Sequence, residues 1–323
     1  FKQKTAYEIM PSLVGSEMCI RDSLNNPEPG FREINTAKLV SEKLGTLGIP
    51  FRAGLAITGI RADLLCGNPG PTMAILGELD SLIVNEHPFA NPSTGAAHAC
   101  GHHCQIGMLL GAAMALNQPK ILESLSGRIA LIAVPAEEYI EIEYRDELRK
   151  QGQLEFLGGK PELIKLGEFD DVDLAMMVHT TSTPEEKQLC VSGTNNGTVA
   201  KKIQFIGKGS HAGGSPHLGI NALNAATLAL SAIHFNRETF KDADTVRVHP
   251  IITKGGEAVS AVPADVRMET FVRGKTLEAI MDANVKVDRA LRAGAMAVGA
   301  SVKIETIPGY MPCLLYTSPS PRD

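Results

Sequence analysis

Two apolar runs, TMAILG at 72–77 and GRIALIAV at 127–134, decide the fold of this 323-residue chain. Continuous apolar runs of about four to eight residues are typical of strands that are buried on both faces of a sheet. A third run, DLAMMV at 173–178, has the same character. The sequence therefore predicts a sheet that is built around these three strands.

Helical segments separate the strands. Residues 33–48 place apolar side chains at helical spacing and stop at a glycine, a pattern that predicts an amphipathic helix. A segment rich in Ala, Leu and Met, about 101–117, predicts a long helix between the first two strands. The alternation indicates an α/β fold in which helices layer a mixed sheet.

The second half of the chain has a different pattern. From about Thr198 it predicts strand, helix, strand, strand, helix and strand, over 198–206, 220–235, 245–253, 264–272, 276–296 and 301–307. This βαββαβ order is that of ferredoxin-like α+β domains. We expect 195–310 to be such a domain, inserted into a first domain that begins with 24–194 and whose C-terminal part is missing beyond Pro312.

The two ends of the chain resemble translated sequencing adapter. The tail CLLYTSPSPRD (313–323) back-translates into DNA whose reverse complement, in a shifted frame, encodes LVGSEMCIRDS, residues 13–23. Two ends of one gene have no reason to be reverse complements. We therefore expect 1–23 and 313–323 to be read-through that packs poorly and is not part of the fold.

Composition argues against several classes of partner. The chain has 31 Lys and Arg against 36 Asp and Glu, a net charge of -5, and no basic block that would indicate nucleic-acid binding. No apolar run approaches the roughly 18 residues that span a membrane. The cysteines within 24–312 are scattered (Cys66, Cys100, Cys104 and Cys190), which indicates a reducing, cytoplasmic location.

The string HACGHH at 98–103 is predicted to lie on a strand-to-helix turn. Cys100 and His102 can both turn toward one point there, and a helix N-terminus favours the thiolate. Thiolate and imidazole ligands suit Zn²⁺, and also Co²⁺, Ni²⁺ or Mn²⁺. The simpler alternative is a core cysteine beside surface histidines.

Glu137 and Glu138 directly follow the strand 127–134. Carboxylates at the carboxyl end of a strand lie where open α/β sheets place their sites. One of them can bind a metal ion while the other acts as a general base. A solvated loop is the alternative for this pair.

Two further residues follow predicted strands. Asp80, in GELDSL, can orient a metal-binding histidine, or simply cap a turn. His179 ends the strand 173–178 and is either a ligand or a structural histidine. Together with Cys100, His102 and Glu138, His179 completes four candidate ligands at one predicted sheet edge. The loop GKGSHAGGSPHLGINAL also contains His211, for which a flexible loop is the simpler interpretation.

Six segments in this order resemble aminoacylase-type metallo-amidohydrolases, the family of hippurate hydrolase, indole-acetyl-amino-acid hydrolase and aminobenzoyl-glutamate hydrolase. They are GELDSL, AAHACGHHCQIGMLLGAA, AVPAEE, MMVHT, GKGSHAGGSPHLGINAL and AVPADVRMETFVRG. The resemblance covers essentially all of 24–312. It implies a zinc-peptidase-like catalytic domain with two divalent metal ions, Zn²⁺ or Mn²⁺, and an inserted domain through which two copies form a homodimer.

The resemblance also implies a role for each matching residue. Glu137 would be the general base, Asp80 would support the metal centre and His211 would stabilise the oxyanion. The implied metal ligands are Cys100, His102, Glu138 and His179, and the candidate substrate-binding residues are Ser260 and Arg273.

Three departures from the family pattern stand out. The last metal-binding histidine of the family would lie beyond Pro312, Ser260 replaces a common Asn, and His103 replaces an Asp or Asn. The first departure leads us to expect that this chain alone is inactive. The Ser260 change puts recognition of a substrate carboxylate in doubt.

The resemblance implies hydrolysis of the amide bond of N-acyl amino acids or similar small amides. Two alternatives remain open. A dipeptidase or carboxypeptidase would share the metal centre and differ in its pocket. A non-catalytic metal-binding relative would keep the ligands without turnover.

Overall fold

The computed structural model describes residues 17–181 and 194–314, and the chain folds into two compact units, Phe1–Lys187 and Gln188–Asp323. Besides the helical residues 17–24, the first unit contains the helices α1 (Ile34–Thr46), α2 (His102–Leu116), α3 (Pro119–Ser124), α4 (Ile142–Lys150) and α5 (Gly159–Lys165). Its strands are β1 (Phe51–Leu55), β2 (Gly59–Leu65), β3 (Asn68–Glu78), β4 (Leu82–Ile83), β5 (Ala96–Ala97), β6 (Ser126–Val134) and β7 (Leu174–Met177).

Five strands of the first unit form a mixed sheet in the order β1-β2-β6-β3-β7. Strand β3 pairs in parallel with both β6 and β7, whereas β2 is antiparallel to β6 and to β1. The three predicted apolar runs are the three parallel strands. The prediction of a mixed α/β fold is confirmed.

The pleat of β6 distributes its side chains to two apolar layers. Ile129 and Leu131 pack in the layer that includes α1 and α2, whereas Ala130 and Ile132 pack in a second layer with Leu163 of α5. Alternate residues of a strand point to opposite faces, so a strand covered on both sides is apolar at every position. Each fully buried Leu or Ile contributes about 1.5–3 kcal/mol.

Strand β7 differs from the prediction that it is buried on both faces. Its residues are exposed, with 58% of Leu174 and 51% of Met176 accessible. Within the described residues β7 lies at the edge of the sheet and pairs only with β3. An edge strand lacks a neighbour on one side, and an apolar sequence cannot by itself report this.

Strands β1 and β2 were not predicted, because charged residues interrupt their apolar pattern. The structure pairs these charges. Arg61 Nη2 lies 2.8 Å from Asp171 Oδ2 and 2.9 Å from Asp63 Oδ1. Arg52 Nη2 lies 2.5 Å from Glu168 Oε2.

The second unit contains helices α6 (Ala222–Phe235) and α7 (Leu277–Ala297) and the short 3₁₀ segments Pro216–Leu218, Asn236–Thr239 and Asp242–Asp244. Its strands are β8 (Thr194–Asn195), β9 (Gly197–Ile206), β10 (Arg247–Val248), β11 (Ile251–Lys254), β12 (Asp265–Gly274), β13 (Ser301–Tyr310) and β14 (Cys313–Leu314).

The main sheet of the second unit is antiparallel. Its order is β10-β12-β9-β13, and β11 also pairs with β12. Phe205, Val266 and Met268 of the sheet pack against Ala225 of α6 and Leu291 of α7. Alternating burial along β12 matches a sheet that is covered by helices on one face.

The strand predicted at 245–253 is in fact two short strands, β10 and β11. They are separated by His249 and Pro250. Proline has no N–H to donate to a ladder, so a continuous strand is broken there.

Residues 17–24 are helical, and they contradict the expectation of poor packing at this end. Cys19 is fully buried in the same apolar layer as Val40 and Leu44. Ser23 is 1% exposed, and its Oγ lies 3.4 Å from Nε2 of His98. Residues 1–16, 182–193 and 315–323 lie outside the described residues.

Two further predictions concern the described part of the chain. Cys19, Cys66, Cys100 and Cys104 are free thiols there, while Cys190 lies outside it. None of the helices within 17–181 and 194–314 has the length and apolar character needed to cross a membrane.

Candidate metal centre

Residues from four segments of the first unit meet at one edge of its sheet. Glu78 ends β3, Glu137 follows β6, His179 follows β7, and Cys100 and His102 lie where α2 begins. Because β3, β6 and β7 are parallel, their carboxyl ends reach the same edge. Parallel pairing thus gathers side chains that are far apart in the sequence.

His102 lies at the centre of this cluster and is 1% exposed. Its Nδ1–H donates to the backbone oxygen of Asp80 at 2.9 Å, and Asp80 Oδ1 lies 3.3 Å away. Its Nε2 lies 3.0 Å from Glu78 Oε2, but makes no hydrogen bond of acceptable geometry with the described residues. Asp80 thus fixes the ring and leaves Nε2 for another partner.

The surroundings of His102 attract cations. Burial alone would lower the pKa of its imidazole, but the neighbouring Asp80, Cys100 and Glu78 raise it above the ordinary value. A proton and a metal ion therefore compete for the same buried nitrogen.

Cys100 and His179 lie beside this nitrogen. Cys100 Sγ is 3.4 Å from His179 Nε2, while His179 Nδ1–H donates to the Thr180 backbone oxygen at 2.6 Å. Gly101, which lies between Cys100 and His102 in the sequence, has a φ of 94°, and a Cβ there would lie 2.0 Å from Thr180 Oγ1. Glycine is required at this turn because of both its conformation and the approach of Thr180.

Glu137 and Glu138 approach the same histidine. Glu137 Oε2 lies 3.8 Å and Glu138 Oε1 lies 3.9 Å from His102 Nε2. The backbone N–H of Glu138 donates to Asp80 Oδ2 at 2.9 Å. Burial raises the pKa of Glu137 to about 7, and the charge of Glu78 adds to this effect.

Two members of the cluster were missed in the sequence. Glu78 is 1% exposed and accepts a hydrogen bond from Gln105 Nε2 at 2.9 Å. Lys160 Nζ pairs with Glu78 Oε1 and lies 3.8 Å from Glu137 Oε1. Burial would raise the pKa of Glu78, but His102 and Lys160 lower it to about 2.

A sequence signal existed for one of these two residues. Glu78 is the last residue of β3 and lies two positions before Asp80, and residues two apart in an extended segment point to the same side. Lys160 reaches the cluster from α5, and no spacing in the sequence indicates that contact.

The donor atoms fall into two overlapping groups. Those of Cys100, His102 and His179 lie within 4.8 Å of one another, and so do those of Glu78, His102 and Glu137. Thiolate and imidazole donors suit Zn²⁺, and carboxylate oxygens also accept Mn²⁺. The unsatisfied Nε2 of the shared histidine fits a metal site.

The other predicted site residues lie in the second unit. His211 Nδ1 accepts the N–H of Gly214 at 2.7 Å, and the Ser260 backbone oxygen accepts the N–H of Ala212 at 2.8 Å. The loops of His211 and Ser260 therefore adjoin. Arg273 is exposed near the far end of β12. It lies roughly 26 Å from Asp265, the first residue of this strand, at about 3.3 Å per residue. The structure does not bring Arg273 to the loop of Ser260.

Comparison with known proteins agrees with the resemblance noted in the sequence. The model of Peptidase family M20/M25/M40 matches residues 74–314. The chain belongs to this family. Peptidases of the family bind a dinuclear metal centre.

Two relatives illustrate the activities that occur among similar proteins. Thermostable carboxypeptidase 2 of Saccharolobus solfataricus is 32% identical over 273 residues, which cover 81% of this chain and 62% of that protein. The indole-3-acetyl-aspartic acid hydrolase of Enterobacter agglomerans is 30% identical over 275 residues, covering 82% and 57%. The chain thus spans about three fifths of the length of these relatives.

A solved structure shows the same fold. It is a Bacillus subtilis protein described as a dinuclear metal binding peptidase of this family. The TM-score is 0.63 and the identity 21%, over 95% of this chain and 77% of that one.

Proposed function

We propose that this chain carries the metal centre and the general base of a metal-dependent hydrolase that cleaves the amide bond of N-acyl amino acids or similar small amides. One observation carries the proposal. The donor atoms of Cys100, His102 and His179 lie within 4.8 Å of one another, beside the carboxyl of Glu137, whose pKa burial raises to about 7. Metal-assisted hydrolysis can use such ligands together with a carboxylate base beside them.

The proposed ligands of two divalent ions, Zn²⁺ or Mn²⁺, are Cys100, His102, Glu138 and His179. Asp80 supports them, because it holds His102 Nδ1 and the backbone of Glu138. Bound metal would polarise the substrate carbonyl and lower the pKa of water toward neutrality.

Glu137 is the proposed base. It accepts a proton from the attacking water and returns it to the amine that leaves. Its Oε2 lies 3.8 Å from His102 Nε2, close enough to exchange a proton with a water at the proposed metal site. Lys160, 3.8 Å away, adds a positive charge beside this carboxylate.

His211 is the proposed donor to the oxyanion. Its Nδ1 accepts the N–H groups of Gly213 and Gly214, so the neutral ring carries its proton on Nε2, where it can donate. One such donor typically contributes about 3–4 kcal/mol to catalysis. Ser260, in the adjoining loop, is the proposed contact to the substrate carboxylate.

We further propose that 24–194 is the N-terminal part of a catalytic domain, and that 195–310 is an inserted ferredoxin-like domain through which the protein forms a homodimer. The βαββαβ order and the antiparallel sheet of the second unit support this. The scattered cysteines support a cytoplasmic location.

A dipeptidase or carboxypeptidase with the same centre is the second candidate, because one relative carries the name carboxypeptidase. Both candidates use the same ligands and the same base. They differ in whether the acyl group carries a free amine.

The deciding experiment measures bound metal and turnover on the same preparation of a protein that contains this chain and has the full length of the relatives. N-acetyl and N-benzoyl amino acids are compared with dipeptides, before and after chelation. We expect about two metal ions per chain and hydrolysis of acyl amino acids that chelation abolishes. Preference for dipeptides would favour the second candidate, and a preparation without bound metal would refute both.

A further inference from the structure

Ala136, the residue before Glu137, has an unusual backbone conformation. It is fully buried, and its φ of 46° lies in the left-handed region. This region is disfavoured for a residue with a Cβ, because the Cβ comes too close to the following carbonyl oxygen. Because Ala136 joins the end of β6 to Glu137 and Glu138, its conformation sets the direction in which both carboxylates leave the strand.

A buried carboxylate holds the amide of Ala136. Glu33, which is 0% exposed, accepts the Ala136 N–H through Oε1 at 2.7 Å. Its Oε2 accepts the hydroxyl of Thr58 at 2.6 Å. Both oxygens are thus engaged, and the carboxylate cannot turn away from the peptide.

A buried guanidinium lies at the carbonyl of the same residue. Ala136 O accepts Arg145 Nη1 at 3.4 Å and the N–H of Gly159 at 3.2 Å, while Arg145 Nη1 also donates to Leu157 O at 2.7 Å. Arg145 is 1% exposed. A Cβ on Gly30 would lie 2.3 Å from Arg145 Nη2 and 2.8 Å from Ala136 Cβ. Only glycine at position 30 leaves room for this arrangement.

Packing alone does not account for these two residues. Burying a charged side chain costs several kcal/mol, and apolar side chains fill the same space at lower cost. Glu33 and Arg145 instead contact the N–H and the C=O of one strained residue. We propose that they are positioning residues, which clamp Ala136 in the left-handed conformation and thereby place the carboxylates of Glu137 and Glu138.

The effect of the clamp on turnover rests on the proposed function, whereas its effect on Ala136 does not. Glu33→Leu removes both acceptors at similar volume, and Glu33→Gln keeps an acceptor for the Ala136 N–H. Glu162→Leu is the matched control, because Glu162 is 2% exposed and accepts the N–H groups of Glu155 and Phe156. Arg145→Met tests the carbonyl side.

The variants are made in the same full-length protein and compared in the Co²⁺-loaded state, by kcat and KM for an N-acetyl amino acid, by the visible absorption of Co²⁺ and by thermal midpoint. Both Leu variants leave two N–H or O–H donors without partners, so their stability losses are expected to be similar. Glu33→Leu and Arg145→Met are expected to lower kcat about 100-fold, the effect of a displacement of about 1 Å. KM is expected to change little, and the Co²⁺ spectrum to shift.

Glu33→Gln and Glu162→Leu are expected to keep kcat within about threefold and to retain the Co²⁺ spectrum, since both preserve the Ala136 contact. Equal losses of kcat in Glu33→Leu and Glu162→Leu would overturn the clamp.

A second substitution distinguishes a clamp from general destabilisation. Glycine adopts positive φ without the Cβ penalty. Ala136→Gly in the Glu33→Leu background is therefore expected to recover kcat about tenfold, since relief of about 1.4 kcal/mol corresponds to that factor. Absence of recovery would refute the role assigned to the strained conformation.

Hydrogen exchange tests the clamp when the proposed function fails. In metal-free protein, Glu33→Leu is expected to accelerate exchange of the Ala136 amide, and Glu162→Leu is not. If the unaltered protein hydrolyses no amide, the function is wrong, but faster exchange still supports the clamp. Unchanged exchange at Ala136 would overturn the clamp whatever the activity.

Discussion

The two units of the chain bury charge in different ways. The first unit gathers ionisable side chains at one sheet edge, namely Glu33, Glu78, Asp80, His102, Glu137 and Lys160. The second unit buries Lys201 at 0% exposure and pairs it with Asp288 Oδ1 at 2.5 Å and Thr306 Oγ1 at 2.7 Å.

The difference is one of balance: the buried charge of Lys201 is neutralised within the protein, whereas the buried cluster of the first unit carries a surplus of carboxylates. Around Lys201, the carboxylate of Asp288 meets two cations, Lys201 and Arg292. In the first unit carboxylates outnumber cations, and burial with mutual repulsion raises the pKa of both Glu33 and Glu137 to about 7. A surplus of buried negative charge destabilises the empty protein and favours cation binding.

Among the substitutions that test this contrast, Glu137→Gln should have the largest effect, which is a loss of turnover. Loss of a general base typically lowers the rate about 10²–10⁴-fold, so kcat is expected to fall by that factor while metal content is retained. Turnover and bound metal are measured together, with the exposed Glu123→Gln as control. Retention of turnover would exclude Glu137 as the base.

Metal binding should stabilise the first unit selectively. Free Zn²⁺ at 100 times its Kd adds about 2.7 kcal/mol, which corresponds to a rise in thermal midpoint of roughly 5–10 °C. Calorimetry of chelated protein with and without Zn²⁺ measures the shift. His102→Ala is expected to abolish it, and an equal shift in that variant would place the ion elsewhere.

The metal-free protein should lose stability as pH rises. Glu33 and Glu137 have a pKa of about 7 when folded, against 4.5 as ordinary values. The folded protein therefore holds protons that the unfolded chain releases. The contribution of these two protonated carboxyls to the free energy of unfolding is complete below pH 4.5 and is lost as pH rises through 7.

The corresponding measurement is the thermal midpoint of chelated protein at pH 6 and pH 8. The unaltered protein is expected to be less stable at pH 8, and Glu137→Gln is expected to reduce the difference because one of the two titrating groups is gone. An unchanged difference would contradict the raised pKa of Glu137.

Lys201→Met should have the smallest effect. It leaves Asp288 and the hydroxyl of Thr306 without their buried partner, which costs about 1–3 kcal/mol. Denaturant unfolding measures this loss, with exposed Lys303→Met as control. Metal content is expected to be unchanged, and a loss of metal would show that the two regions are not independent.

Much of the fold was predictable from local patterns. The runs at 72–77 and 127–134 are buried strands, because a strand between two helical layers is apolar at every position. Strands β1 and β2 were missed, since their arginines, Arg52 and Arg61, are paired with residues more than one hundred positions away. The exposure of β7 was missed because its sequence does not specify its neighbours.

The candidate site was predictable in its residue types. Cys100, His102, Glu137 and His179 were recognised because they follow strands or begin a helix, and the structure brings them to one edge. Arg273 and Ser260 are both predicted to bind substrate, but the structure does not bring them together, because the length of β12 separates Arg273 from the loop of Ser260.

The sequence by itself determined the apolar runs that become β3 and β6 and the residue types that are able to bind metal or protons, since both depend on neighbouring residues. Tertiary structure alone decided which of them meet. Cys100 reaches His179 across 79 positions, and Glu33 reaches the Ala136 amide across 103. Those contacts depend on the register of the parallel strands and on burial, and neither is encoded by any short segment. Burial also lowers the dielectric around the carboxylates.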